Sequence, residues 1–507
     1  MDGERLEVAH NGVRGDNVVG VREARRVSSG ITNQTREDVI MSVRSLIGIG
    51  LCALLSLLGG NSVFAQEPAP APVSTSTVQE RLDVLEKKSD APGLWKTLGF
   101  QLSGGVSASY NHNFNNPNTN LSQLRTSDAN TNTFTPNLAQ LMLQRSADPG
   151  GSGADRAGFR ARLNFGPDAR VSRARSNFRP GTDNTELDFQ EMYAEYIVPV
   201  GNGLMIQVGK INTALGYETF TSWENPNYSR TFGYNLAQAF TTTGVRLTYQ
   251  INPMVTVMLA VNNGWDNIED NNKGKMVEGA LTLTPHKRFT AYFYGSYAAE
   301  QSNCQGAGQG VIPASPGAPC TSGAIGTDPT AKRTILDSIL TYKATDNDTF
   351  ILETYYGNEG NVSAISKAHN GRWNSMYLYL IHDFNDQQQP HAFSLRLRNG
   401  IFEDAGGVRT CTGSVNTNGG NNTCANSPGA AGNNGQATGA AVFNQAGFGG
   451  IAQTLFESTN TLQYKPFPSL IVRAEFRYDK SNKNVFLYGS RAVNNQETLT
   501  LNVVYLF

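Results

Sequence analysis

LIVRAEFRY, residues 470–478, sets Leu470, Val472, Ala474, Phe476 and Tyr478 in one phase and Arg473, Glu475 and Arg477 in the other. A repeat of two is the signature of a β-strand, whose successive side chains point to opposite faces. The pattern fixes which residues share a face, because slipping the strand by one residue would exchange the two sets completely. What lies on each side has to be read from the rest of the chain.

The same alternation recurs in FRARLNF (159–165), GVRLTYQ (244–250), AFSLRLR (392–398) and LTLNVVYLF (499–507). The alternating segments run to about ten residues, the length that a tilted strand needs to cross a bilayer. From Gly99 to Phe507 the connections between them alternate strictly in length. Short ones include VGNG (200–203), NPM (252–254) and KPFPS (465–469), while long ones include 115–136, 216–236, 302–331 and 404–449. A soluble sandwich has no reason to keep that order, whereas an outer-membrane barrel has short periplasmic turns and long extracellular loops. The expected fold is therefore all-β, a transmembrane antiparallel β-barrel of about 16 strands. No apolar run reaches the roughly 18 residues of a membrane-spanning helix.

In the closing strand LTLNVVYLF, Leu499, Leu501, Val503, Tyr505 and Phe507 share a face, and Tyr505 and Phe507 are expected in an interfacial aromatic girdle. Trp265 follows the apolar run MVTVMLAV (254–261) and stands among turn formers in NNGWDNIEDNNKGK (262–275). An indole has an apolar body and one polar N–H, so Trp265 is expected where a strand leaves hydrocarbon, in the outer girdle.

If the apolar phases face lipid, the opposite phases face the lumen. These are Arg160, Arg162, Arg246, Arg396, Arg398, Arg473 and Arg477, with the acids Glu191, Glu195, Glu353 and Glu475. An arginine on the lipid side near the midplane costs about 2–4 kcal/mol, which argues for the inward placement. Either these side chains line a water-filled pore, or they are salt-bridged packing inside a plugged barrel. The excess of arginines leans toward anions. In an open pore, reversing Arg473 and Arg477 to Glu is expected to change selectivity and leave folding intact.

Residues 41–65 carry Arg44, an apolar stretch from Leu46 to Leu58 and a small-residue exit ending at Ala65, the order of a secretory signal peptide. The expected mature start is Gln66, and residues 1–40 are read as an over-called extension upstream of Met41. Residues 66–98 read as a periplasmic linker, with either a short amphipathic helix or a short coiled coil at 78–88. Export leaves Cys304, Cys320, Cys411 and Cys424 in two long loops. The economical disulfide pairing is Cys304 with Cys320 and Cys411 with Cys424; a metal site is the rival, with no CxxC or nearby His to support it.

The chain has 41 Lys+Arg against 42 Asp+Glu, so charge points to no nucleic-acid partner. Asp266, Glu269 and Asp270 lack the spacing of a calcium loop, His382 lies in no nucleophile arrangement, and GKINTALG lacks the phosphate-loop lysine pattern. Neither an enzyme nor a cofactor is expected.

VGKINTALGYE (208–218), NPNYSRTFGYN (225–235), TTGVRLTY (242–249) and NNGWDNIEDNN (262–272) resemble the putative beta-barrel porin-2, OmpL-like family. The resemblance spans about 99–507 and implies an outer-membrane location and passive solute passage. The terminal LTLNVVYLF is similar to the signal read by the outer-membrane insertion machinery. The expected partners are thus that machinery, outer-membrane lipids and small hydrophilic solutes, with a homotrimer as one oligomeric form. The classes in contention are a diffusion porin, a substrate-selective channel, and a non-conducting barrel that serves as enzyme or adhesin.

Overall fold

The computed structural model describes residues 99–125, 127–172, 187–270, 272–300, 330–360, 370–384, 393–407, 409–410 and 452–507. The segments read as an over-called extension, a signal peptide and a linker with a helix or coiled coil, and the four loop cysteines, lie outside the described residues.

Eighteen strands are described: β1 Gln101–Asn113, β2 Thr133–Arg145, β3 Ala157–Phe165, β4 Leu187–Val198, β5 Leu204–Asn212 and β6 Thr241–Asn252. They continue through β7 Val255–Trp265, β8 Met276–His286, β9 Phe289–Ala299, β10 Lys332–Lys343, β11 Asp348–Glu359 and β12 Gly371–Phe384. The last are β13 Phe393–Asp404, β14 Gln453–Phe467, β15 Leu470–Ser481, β16 Phe486–Tyr488, β17 Arg491–Val493 and β18 Asn495–Leu506. Fifteen neighbours in sequence order, β1 to β15, and then β18 form one closed ring, with β1 paired to β18 from Gly105↔Leu506 to Asn113↔Thr498. Closure removes both sheet edges, so every strand in the ring has a hydrogen-bonded neighbour on each side.

The barrel has the expected sixteen strands. The connection between β15 and β18 holds an additional feature, the small antiparallel hairpin β16–β17. Turns such as 253–254, 287–288 and 468–469 lie at one end and the long connections at the other. Two short helices, α1 (Ala169–Ser172) and α2 (Phe232–Ala237), sit in the long connections.

Alternation reads directly onto inside and outside. On β15 the phase holding Arg473, Glu475 and Arg477 is buried, while Leu470, Val472, Ala474, Phe476 and Tyr478 are partly exposed. The burial of a soluble protein is inverted: Leu259 and Leu378 are 61% and 50% exposed on the outer surface, while Arg398 inside is 0% exposed. No helix among the described residues is long and apolar enough to cross a membrane.

Trp265 departs from the expected girdle position. It is buried, with the guanidinium groups of Arg333 and Arg409 over its ring at 4.4 and 5.3 Å. The cause is a β-bulge: Thr242 pairs with Trp265 and Gly244 with Asn262, so β7 carries one residue more than β6 between the two pairs. Gly264, at φ +93°, supplies the backbone conformation that an L side chain rarely takes. The extra residue reverses the phase set by Leu259 and Val261 and turns the indole inward. Tyr505 and Phe507 do face outward.

Candidate functional site

The interior is organised by the connection between β5 and β6, residues 213–240, which enters the barrel and crosses to the opposite wall. Its sequence mixes turn formers with aromatics, and α2 begins with the Thr231 hydroxyl accepting from the Tyr234 N–H at 3.0 Å. A segment so placed carries backbone groups that need partners away from bulk water. The wall supplies them from side chains.

On the outgoing limb, the Asp337 carboxylate on β10 accepts from the Gly216 N–H at 3.1 Å, and Glu353 on β11 accepts from the Tyr217 N–H at 2.9 Å. Arg398 on β13 donates to Glu218 at 2.8 Å and, bridging to the return limb, to the Ser229 carbonyl at 2.6 Å. At the tip, Arg473 donates to the carbonyls of Ser222 and Asn225 at 2.9 and 3.0 Å. On the return limb, Glu475 accepts from the N–H groups of Tyr228 and Ser229 at 2.7 and 3.0 Å. Arg477 donates to the Arg230 carbonyl, Glu457 on β14 accepts from the Phe232 N–H at 3.1 Å, and the Tyr377 hydroxyl accepts from Gly233 N–H at 2.8 Å. Asn227 reaches Thr461 at 2.7 Å.

Five residues expected on the lumen wall, Glu353, Arg398, Arg473, Glu475 and Arg477, are thus brought together as the cradle of this segment. They are buried and paired rather than open to water: Arg398 and Arg477 share Glu457, at 2.6 and 2.9 Å, and Arg477 also meets Asp479 at 2.7 Å. The expectation that Arg473 and Arg477 could be reversed without harm to folding does not suit this geometry. A glutamate at position 477 would face Glu457 and Asp479 in a site of low dielectric.

The other expected residues stand on the facing wall. Arg162 pairs with Glu191 at 3.0 Å and meets the inserted segment through Glu224 at 3.2 Å. Arg160 keeps 31% of its side chain exposed and lies 3.5 Å from Glu191. Glu195 accepts from Gln207 at 3.1 Å, and Arg246, half-buried, donates to the Asn212 carbonyl at 2.8 Å. Arg396, lower on the cradle wall, is paired loosely with Asp383 at 3.8 Å.

Sequence reasoning missed Asp337, Glu457 and Asp479 on the cradle wall, and also Glu278, Glu359 and Arg333. In KRTILDSILTYK the inward phase is Arg333, Ile335, Asp337 and Ile339, so apolar residues occupy both faces and the polar phase is masked. These additions are mostly acids, and they remove the arginine excess on which the anion preference rested.

Above the cradle, a second group of buried residues lies toward the long-loop end. Asp266, just beyond β7, accepts from the N–H groups of Phe240 and Thr241, both at 2.9 Å, and burial pushes its carboxyl up to about 6. Glu300, just beyond β9, accepts from the Trp265 N–H at 3.1 Å, and burial raises it to about 7 against the opposing pull of Arg333.

A sequence profile described as putative beta-barrel porin-2, OmpL-like, matches residues 99–507. None of the curated proteins matches the chain. Solved structures that it resembles include OprB of Pseudomonas putida (TM-score 0.48, 10% identity, 85% of this chain and 97% of that chain). The anion-selective porin of Comamonas acidovorans gives TM-score 0.47 at 9% identity over 80% of this chain and 99% of that one. A trimeric form of OmpT, an outer membrane protein of Vibrio cholerae, gives 0.45 at 10% identity over 80% and 99%.

Proposed function

The chain belongs to the putative beta-barrel porin-2, OmpL-like family and is an outer-membrane channel; from that premise we propose that small hydrophilic solutes or ions diffuse passively between the inserted segment 213–240 and the β3–β6 wall. The observation that carries this route is the asymmetry of burial. The segment is fastened mainly to β10–β15, where Glu353, Arg398, Arg473, Glu475 and Arg477 are buried, while Arg160, Glu195, Gln207 and Arg246 on the facing wall stay partly exposed. Acid and base on opposite sides of a passage set a transverse field, which sorts solutes by charge and dipole. Glu224 on the segment and Arg160 on the wall are the pair through which that field would act, with Arg162 and Glu191 fixing their positions.

On this reading the protein performs no covalent chemistry. It reaches the outer membrane through the signal peptide at 41–65 and insertion of its C-terminal strand, and Cys304–Cys320 and Cys411–Cys424 staple two long loops. Single-channel recording of the purified chain in planar bilayers tests the proposal. Steady ohmic conductance is expected, and Arg160→Glu with Arg246→Glu should move the reversal potential in a salt gradient toward cations. A folded barrel that passes no current would favour an enzyme or adhesin instead.

A further inference from the structure

The outer surface of the barrel carries an anomaly on β13 and β14. Along β13 the outward phase runs Leu395, Leu397, Asn399, Ile401, and along β14 it runs Phe456, Ser458, Asn460, Leu462. Asn399 lies beside Leu378 on one side and Ser458 on the other, and Asn460 lies between Leu397 and Phe476. Leu378 and Phe456 are 50% and 45% exposed, which marks this phase as the one that meets the bilayer. Both asparagines are exposed inside an apolar belt, and among the described residues neither side chain has a hydrogen-bond partner.

An amide facing hydrocarbon without partners is strongly penalised, because lipid tails can neither donate nor accept. Near the middle of the belt other strands avoid this. Ser338 and Thr354, outward on β10 and β11, satisfy each other at 2.7 Å, and β7 presents Val255, Val257, Leu259 and Val261. The two asparagines therefore call for a partner at the same depth in the membrane.

We propose that the outer face of β13 and β14 is the contact between two copies of this chain, related by a twofold axis along the membrane normal. A side-chain amide both donates and accepts, so a patch of amides is complementary to itself. A twofold contact brings the same patch together from both subunits, and Asn399 and Asn460 of each copy then bond their counterparts. Away from its axis, a threefold ring would need a second, different polar patch with unmet hydrogen bonds at the same depth. Ser338 and Thr354 are satisfied within their own chain and do not provide it.

The test is the mass of the full-length protein in mild detergent by light scattering, corrected for bound detergent, with heat-modifiable migration as the check on folding. Two copies per particle are expected for the wild type. Asn399→Leu with Asn460→Leu should give one copy, while Asn399→Gln with Asn460→Gln, which keeps the amides, should retain two. Ser338→Ala with Thr354→Ala should not alter the state. A monomeric or three-copy wild type, or a folded leucine variant that remains at two copies, would overturn the proposal.

Discussion

Replacing Glu475 by Gln tests whether the inserted segment is held by the wall. The carboxylate accepts from Tyr228 N–H at 2.7 Å, Ser229 N–H at 3.0 Å and the Thr461 hydroxyl at 2.8 Å. An amide of the same shape has one accepting oxygen, so its NH2 group must point at a donor that the carboxylate satisfied. Hydrogen bonds to a charged acceptor are worth about 1.5–3 kcal/mol each. Arg473, whose other contacts are to neutral Gln463 and to two backbone carbonyls, also loses its nearby negative charge. Together these effects weaken docking by about 3–5 kcal/mol, the range for breaking a buried charge pair. That is a shift of at least 100-fold, roughly, in the ratio of docked to released segment. The remaining contacts, through Arg398, Glu457 and Tyr377, keep the released state a minority. Planar-bilayer recordings of Glu475→Gln should therefore show higher mean conductance and flickering that the wild type lacks. A folded variant with wild-type conductance and noise would refute the claim that this carboxylate holds the segment in the lumen.

Reversing Arg473 and Arg477 to Glu should abolish assembly, read as loss of the heat-modifiable band, because the new acid at 477 meets Glu457 and Asp479 without water. Trp265→Ala should cost about 3–5 kcal/mol in denaturant unfolding, as expected for a buried aromatic; a girdle residue would cost far less. Asp266 is raised from 3.8 to about 6, so through that window the folded chain holds a proton that the unfolded chain releases, and stability falls as pH rises. Oδ1 takes both backbone bonds while buried Oδ2 has no hydrogen-bond partner, so Asp266→Asn can keep the bonds and should flatten the dependence of unfolding midpoint on pH between about 4 and 6.

The wall of the barrel is legible in the amino-acid pattern alone. Period-two alternation, strand lengths near ten and the order of short and long connections specified an antiparallel barrel of sixteen strands, and LIVRAEFRY alone fixed which side of β15 is polar. Those features are legible because they are local: each depends on residues two apart or on the spacing of neighbouring segments. The role of the polar face, by contrast, depends on contacts made across the folded barrel. Arg477 and Arg230 are 247 positions apart, and Glu475 meets Tyr228 at the same separation. Nothing in either stretch says that the unpaired backbone of one will be satisfied by the side chains of the other. Trp265 shows the same limit on a smaller scale. One extra residue in β7, permitted by Gly264, reversed the alternation, and a bulge is visible only when the register of the neighbouring strand is known.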